Sequence, residues 1–224
     1  MHIPDGYLSP QTYIPFYAVF FGFMTIAIKK LKKKLTAKLV PFLGMSSAFA
    51  FLIMMINIPV PGGTTGHAVG AALISLVLGP WIAVVSVSIA LIIQAFVFGD
   101  GGITAIGANC FNMAIAMPFI AYGCFKLLQG KSLNTRRMNI SAFIAGYLSL
   151  CIASLLTAIE LGIQPIIAAA SDGTPLYAPY PLKITIPALA FEHFLLFGII
   201  EGFITALLFR FFYDSNKELI EVLK

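Results

Sequence analysis

The sequence predicts an all-α, polytopic membrane protein that forms one transmembrane domain over residues 1–224. Hydrophobic residues make up 59% of the chain and charged residues only 10%, whereas soluble domains are about 45–50% apolar and about 25% charged. Lys and Arg outnumber Asp and Glu by 14 to 9, but they lie in short clusters between long apolar runs. This placement is typical of loops at a membrane surface, so the basic excess does not indicate a nucleic-acid partner.

Apolar runs predict most of the helices directly, because a helix needs about 20 residues to cross the hydrocarbon core of a bilayer. The stretch 66–98 is the exception, since a single helix of that length would be about 50 Å long and Gly79-Pro80 interrupts it. It forms either one kinked span or two shorter ones. With two, the predicted spans are 13–29, 39–58, 67–79, 81–98, 108–128, 139–163 and 184–212.

The distribution of basic residues favours two spans here and indicates the orientation. Residues 1–12 carry no Lys or Arg, so they are unlike a secretory signal peptide. We therefore expect this segment to stay attached to the protein and to lie on the outer side of the membrane. With seven spans, the cytoplasmic loops and the cytoplasmic C-terminus contain every Lys and Arg except Lys183. With six spans they contain only about half, which violates the positive-inside rule.

The first two residues form the most informative constellation. A free amine on Met1, followed by His2, offers three nitrogens in sequence: the amine, the deprotonated amide nitrogen of His2 and its imidazole Nδ1. Binding through these atoms closes a five-membered and a six-membered chelate ring in one plane. Such a plane suits ions that favour square-planar nitrogen ligation, Ni(II) and Cu(II). We therefore interpret residues 1–12 as a metal-binding segment.

His67 is the candidate for the fourth nitrogen. It ends the Gly-rich link PVPGGTTGH, on the same side of the membrane as Met1 and His2 in the predicted topology. The short span after it implies that the link enters the protein, where irregular backbone must be surrounded by protein or line a cavity. Taken singly, His2 is better explained as a solvated residue of a loose tail and His67 as a structural imidazole. Together they favour a metal site on the outer side.

Oxygen acceptors should lie near these histidines, because a metal-ligating His nearly always donates its other ring N–H to an oxygen. The candidates are Thr64, Thr65, Asp100 and Asn109, although a plain capping role explains each of them more simply.

Ionisable residues inside the predicted spans are few. Glu192, His193 and Glu201 lie in the last span, where such groups are functional by default, but a hydrogen bond to a neighbouring helix or a partner subunit explains them more simply. Glu160 is expected at the membrane interface. So few ionisable groups argue against a self-contained metal channel or secondary transporter. The sequence also shows no nucleophile and base at a workable spacing, which argues against a membrane enzyme.

Three segments resemble signature sequences of a known family: MHIPDGYLS at 1–9, PGGTTGH at 61–67 and GDGGITAIGANCFNMA at 99–114. They are similar to those of the nickel/cobalt substrate-binding membrane components of energy-coupling factor transporters, the NikM/CbiM family. The resemblance extends over essentially the whole chain. It implies a square-planar metal complex with four nitrogens from Met1, His2 and His67.

The resemblance also implies a prokaryotic plasma-membrane importer in which this chain is not itself an enzyme. Its implied partners are a transmembrane coupling subunit, two ATP-hydrolysing subunits and often a small accessory membrane protein. Family members carry Ni(II) or Co(II), and the shared motifs do not distinguish the two. A deprotonated amide in a square plane imposes a strong ligand field that suits Ni(II) best, so nickel is the expected substrate and cobalt the alternative.

A face of small residues on the second predicted span is the candidate partner surface. Gly44 and Ala48 have the small-xxx-small spacing that lets helices approach closely in lipid. Packing within this chain explains the pattern more simply. The sharper hypothesis is that the coupling subunit docks on this face, as it does on small-residue faces in resembling transporters.

Overall fold

The computed structural model describes residues 1–34, 39–60, 64–130 and 134–223, which form a helical bundle with one short β-hairpin. Three of the long helices contain a π-helical segment, a wider turn that often marks a functional site. The elements in chain order are α1 (Pro10–Lys34), α2 (Leu39–Met54), β1 (Ile58–Val60), β2 (Thr64–Gly66), α3 (Ala71–Leu78), α4 (Pro80–Ile93, continued by π-helical Gln94–Phe98), α5 (Ile106–Asn109, continued by π-helical Cys110–Ala116), α6 (Met117–Gln129), α7 (Thr135–Gly162), α8 (Gln164–Ile167), α9 (Leu182–Glu192, continued by π-helical His193–Phe197) and α10 (Gly198–Ser215), followed by the 3-10 turns Lys217–Leu219 and Glu221–Leu223.

Five helices of the described chain are long and apolar enough to cross a membrane. A sixth, α2, is apolar but has only 16 residues. The prediction of a multi-pass helical membrane protein is confirmed, and the predicted spans 13–29, 81–98, 108–128, 139–163 and 184–212 each lie inside one of these helices. The five are Pro10–Lys33, Pro80–Phe98, Ile106–Gln129, Thr135–Ile167 and Leu182–Ser215.

The second predicted span, 39–58, is too long at its C-terminal end. α2 ends at Met54, and Ile58–Val60 then pairs with Thr64–Gly66 as an antiparallel hairpin. Pro59 explains the difference, because proline disfavours helical backbone in the residue before it and supplies no N–H for a helical hydrogen bond. The hairpin delivers the chain directly to His67.

The helix found within the third predicted span, 67–79, is also shorter than the prediction. The stretch breaks at Gly79-Pro80 into two helices, but α3 covers only Ala71–Leu78, a length of about 12 Å. Residues 67–70 stay outside the helix because Gly70 adopts left-handed backbone with φ +73°, and the N–H groups of Val69 and Gly70 donate to the carboxylate of Glu201 at this end of the helix. His67, Ala68 and Val69 are all buried, so this irregular backbone is surrounded by protein, as its position before a short span requires.

α3 lies in the middle of the bundle. All of its residues are buried, as is most of α4, and it packs against α4, α6 and α10. The outer helices expose large apolar side chains such as Leu52, Phe203 and Leu207, which suits contact with lipid tails. The loop that carries His67 therefore leads directly into a helix whose residues are all buried.

Candidate metal centre

The N-terminal segment does not form a loose tail but packs into the protein. The side chains of Met1, Ile3 and Leu8 are 6%, 1% and 2% exposed. The backbone of Ile3 is clamped, because its N–H donates to Asn109 Oδ1 at 2.9 Å and its carbonyl accepts from Asn109 Nδ2 at 3.1 Å and from the Gly102 N–H at 2.8 Å. Asn109 thus fixes the main chain just after His2. The sequence had suggested Asn109 as a hydrogen-bond acceptor for an imidazole, but its described contacts include no bond of that kind.

The link 99–107 forms the receptor for this segment. The carboxylate of Asp5 accepts hydrogen bonds from the N–H groups of Ile103 and Thr104 at 3.0 and 2.8 Å and from Thr104 Oγ1 at 2.6 Å. These bonds lower the pKa of Asp5, and the bond from the Thr104 side chain contributes most. Gly102 has no side chain where the segment passes, and a methyl group there would overlap the backbone of Pro4 and Asp5. The glycine is therefore needed for close approach of two main chains.

The imidazoles of His2 and His67 meet in this site. Their rings are stacked with centroids 4.7 Å apart, and each has a buried Nε2 with no hydrogen-bond partner in the parts of the chain that the structure describes. Nδ1 of His67 lies 3.0 Å from the carbonyl oxygen of Ala68, so Nδ1 carries the proton and Nε2 has a free lone pair. Nδ1 of His2 lies 3.3 Å from Asp100 Oδ1.

The Met1 amine completes the cluster, because it donates to the carbonyl oxygen of Thr65 at 3.2 Å, two residues before His67. Thr65 therefore contributes its main chain, while its side chain is exposed. The side chain of Thr64 and residues 61–63 of the Gly-rich link lie outside the described residues. The structure thus brings together Met1, His2 and His67, with Asp100 beside them.

The buried site keeps these groups uncharged. Burial lowers the pKa of the Met1 amine to about 6, against the opposing influence of the carboxylates of Glu192 and Asp100. Burial and the neighbouring amine lower the pKa of His2 to about 3, and the same two causes bring the pKa of His67 well below its usual value. Near neutral pH the amine and both imidazoles are therefore largely deprotonated, which is the state that ligates metal ions.

The loop that carries His67 is held by the last long helix. Glu201 is fully buried, and its carboxylate accepts from the N–H of Val69 at 2.8 Å and from that of Gly70 at 3.0 and 3.1 Å. The sequence flagged Glu201 only as an ionisable residue inside a span, with a hydrogen bond to a neighbouring helix as the simpler explanation. The structure assigns that hydrogen bond to the loop that positions His67.

Replacing Glu201 with Ala should weaken metal binding although Glu201 does not reach the site itself. The change leaves two buried N–H groups without an acceptor, which costs about 1–3 kcal/mol each, and it frees the loop, so we expect a loss of affinity of about 10–100-fold, as for residues that orient ligands. Isothermal titration with Ni(II) and thermal unfolding measure both effects. Glu201→Gln keeps one acceptor oxygen and should lose less, whereas equal affinity in all three proteins would contradict this role.

A second polar network anchors the segment farther along and went unrecognised in the sequence. Gln164 accepts from the N–H of Ser9 at 2.9 Å and donates to Thr12 Oγ1 and to the carbonyl of Glu160 at 3.0 and 2.7 Å. The expectation that Glu160 lies at the membrane interface is wrong, because its side chain is buried and accepts from Asn112 Nδ2 at 2.9 Å. The amide partner compensates for the burial of the carboxyl group.

Side-chain ligands alone do not make a metal site here. No group of three or more His, Cys, Asp or Glu in the described residues has the geometry to hold an ion. The amine and amide of the first two residues add main-chain nitrogens to the two imidazoles.

The sequence matches a known family over nearly its whole length. The family described as the cobalt uptake substrate-specific transmembrane region, CbiM, matches residues 2–219. The chain is 46% identical over 221 residues to the fused nickel transport protein NikMN of Rhodobacter capsulatus. The aligned region covers 98% of this chain and 64% of that protein. It is 32% identical over 227 residues to the cobalt transport protein CbiM of Carboxydothermus hydrogenoformans, which covers 99% of this chain and 87% of that protein. The chain thus spans less than two thirds of the length of the fused nickel protein.

The fold is also shared with a solved crystal structure of a transition metal transporter. The two chains superpose with a TM-score of 0.92 and are 49% identical, over 97% of this chain and 95% of that one. The resemblance of the three signature segments is therefore confirmed by the family match, by the relatives and by the shared fold. This multi-pass membrane protein belongs to the CbiM family of substrate-specific transmembrane proteins of metal uptake.

Proposed function

We propose that this chain binds a divalent transition-metal ion, Ni(II) before Co(II), as the substrate-binding subunit of an ATP-driven importer of the energy-coupling factor type. The observation that carries the proposal is the meeting of the Met1 amine, His2 and His67 in one buried site. The buried Nε2 of His67, without a hydrogen-bond partner in the described residues, is costly, and a metal ion would satisfy it. The proposal requires Met1 to be the first residue of the mature protein.

The proposed plane consists of the Met1 amine, the amide nitrogen and Nδ1 of His2, and Nε2 of His67. To bind the ion, the amine would give up its contact with the Thr65 carbonyl, and His2 Nδ1 would give up its contact with Asp100. Ligation through Nδ1 requires the neutral tautomer of His2 that carries its ring proton on Nε2, so that proton would shift from Nδ1 to Nε2 as the contact with Asp100 is lost. His67 needs no such exchange, because the Ala68 carbonyl already holds its other nitrogen.

Bound Ni(II) should be diamagnetic in this site. A square plane of four nitrogens that includes a deprotonated amide imposes a strong field on the d⁸ ion and pairs its electrons. We expect the isolated chain with its native N-terminus, purified through a tag without histidine, to bind Ni(II) ahead of Co(II). Competition binding with elemental analysis tests the preference, and magnetic susceptibility measured by NMR tests the spin state. A six-coordinate, paramagnetic nickel complex would rule out the proposed plane.

The energy source is proposed to lie in separate subunits: a transmembrane coupling subunit and two ATP-hydrolysing subunits, with a small accessory membrane protein. The alternative function is a self-contained metal channel or secondary transporter. Proteoliposomes that contain this chain, with and without the energising subunits and ATP, separate the two. Ni(II) uptake by the chain alone would refute the subunit proposal and support the alternative.

We further propose a seven-span topology with the N-terminus outside and the C-terminus in the cytoplasm. Each of the seven predicted ranges contains a helix, including α2 and the short, buried α3. Placing Met1, His2 and His67 on the outer side would let the site capture ions from outside the cell, and the positive-inside rule supports that orientation.

The small-residue face of α2 is the proposed docking surface for the coupling subunit. Gly44 and Ala48 are exposed, and a methyl group added to Gly44 would meet no other atom of the described chain within 4 Å. The two residues line a shallow apolar groove between α2 and α4, with Phe51 and Ile89 among its walls. This exposure argues against packing within the chain as the reason for the small residues.

Replacing Gly44 or Ala48 with Leu should abolish most Ni(II) uptake by the complete transporter, because the larger side chain holds a partner helix away. Ni(II) affinity and thermal stability of the isolated chain should stay unchanged, since neither position is packed within it. Leu52→Ala, farther along α2, is a matched control at another exposed position. Variants that lose binding and stability together would show that the face is internal.

A further inference from the structure

His193 is a buried imidazole that the proposed metal plane does not use. It is the third of the three histidines in the chain and is 0% exposed. Its Nδ1 lies 2.9 Å from the carbonyl oxygen of Leu189, so Nδ1 carries the proton and Nε2 has a free lone pair. In the described part of the chain Nε2 has no hydrogen-bond partner. A buried nitrogen left in this state requires an explanation.

The segment that carries this imidazole packs against the strand that leads to His67. A methyl group on Gly66 would overlap the ring of Phe197, so the end of β2 rests directly on the π-helical segment His193–Phe197. The rings of His193 and Phe197 have centroids 5.5 Å apart, and the next helical turn supplies Glu201 to the loop after His67. One side of the last helix therefore faces the whole stretch 66–70.

Two electrostatic effects support this proximity. His193 is near enough to contribute to the lowered pKa of His67, and its neighbour Glu192 is near enough to raise the pKa of the Met1 amine. His193 and Glu192 belong to the same long helix, so both effects come from the helix that also holds the loop after His67 through Glu201.

We infer that His193 is a further metal-ligating position, which takes the ion through Nε2 after it leaves the plane of Met1, His2 and His67. The inference rests on the proposed function of that plane. Imidazole nitrogen is a suitable ligand for Ni(II), Cu(II) and related ions. A single imidazole, with water or a neighbouring oxygen completing the shell, binds far more weakly than a four-nitrogen chelate. Weak binding suits a position through which an ion passes, because the ion must also leave.

The small number of histidines makes a direct test possible. In the double variant His2→Ala, His67→Ala, His193 is the only imidazole left, and the two truncated side chains open the site toward it. The full chain is purified in detergent through a tag without histidine, and Cu(II) is the probe. We expect weak binding and a pulsed-EPR signal from the remote nitrogen of one imidazole. The triple variant with His193→Ala should lack that signal.

The outcomes distinguish this inference from the proposed function. If the double variant keeps the tight Ni(II) affinity of the native chain, the proposed plane of Met1, His2 and His67 is wrong. If the double variant loses tight binding but shows no imidazole signal, or if the triple variant shows the same signal, His193 is not a ligand. Thermal unfolding of each protein confirms that the comparison is made between folded chains.

A transport measurement tests the passage of the ion. His193→Gln keeps an N–H for the Leu189 carbonyl but removes the imidazole. We expect Ni(II) uptake by the complete transporter to fall by about ten-fold or more while the affinity of the isolated chain changes by less than about two-fold. Cys151→Ala, which alters the contact of Sγ with the His193 carbonyl at 3.9 Å, is the matched control and should transport normally. Unchanged uptake in His193→Gln, or affinity that falls with uptake, would overturn the inference.

Discussion

A chain whose N-terminal amine is blocked should bind Ni(II) at least about a hundred-fold more weakly than the native chain, since the loss of a direct ligand exceeds the effect of losing a residue that only orients one. The amine of Met1 is buried, its pKa is lowered to about 6, and it lies against the carbonyl of Thr65 in the same site as both imidazoles. A retained formyl group removes its lone pair. Equilibrium dialysis with Ni(II) measures the change.

The form of the block matters for this experiment. A single residue added before Met1 would make His2 the third residue and create a new chelate of amine, two amides and imidazole, which itself suits Ni(II). An extension of four residues avoids that geometry, and the same four residues added at the C-terminus are the matched control. Undiminished Ni(II) binding by a formylated or four-residue-extended chain that folds normally would refute the proposed plane.

His67→Ala should lower Ni(II) affinity by a similar factor, about a hundred-fold or more, with little effect on the metal-free fold. The imidazole Nε2 has no partner in the described residues, so its removal relieves an unsatisfied buried nitrogen, worth about 1–3 kcal/mol. This gain partly offsets the packing that the ring provides. Isothermal titration measures the affinity, and thermal unfolding of the metal-free protein measures the stability.

The combination of the two measurements separates a ligand from a structural imidazole. If His67 were a structural imidazole, its replacement would give the opposite pattern. The stability of the metal-free protein would fall strongly, and Ni(II) affinity would fall only in proportion to that loss. Thr65→Ala is a matched control on the same strand, because Thr65 contacts the Met1 amine through its carbonyl oxygen while its side chain is exposed. We expect that variant to bind Ni(II) like the native chain.

Much of the candidate site could be predicted because its chemistry is local. Met1 and His2 form a chelate through adjacent atoms, so no knowledge of the fold is required to recognise them. His67 required only the additional knowledge of which loops share one side of the membrane. The long helices were equally accessible, since hydropathy over 20 residues reports the bilayer directly.

The residues that hold the site could not be predicted in the same way. Asn109 reaches the main chain of Ile3 across 106 residues, and Glu201 reaches Val69 across 132. Contacts at such separations depend on how helices are placed, which hydropathy does not encode. The shortness of α3 was equally inaccessible, because hydropathy does not reveal that Gly70 takes left-handed backbone and that Glu201 accepts from the N–H groups at that end.

The burial of Met1 has a consequence for how the protein is made. Met1 finds its place only after much later residues have been inserted, because Asn109 and Gly102 clamp Ile3, Gln164 holds Ser9 across 155 residues, and Glu201 fixes the loop opposite. In a chain that starts at Met1, as the proposed plane requires, any formyl group would have to be removed before the site closes around the amine. Competence to take up the ion would therefore appear only at the end of biogenesis, and an incompletely inserted chain would not sequester nickel.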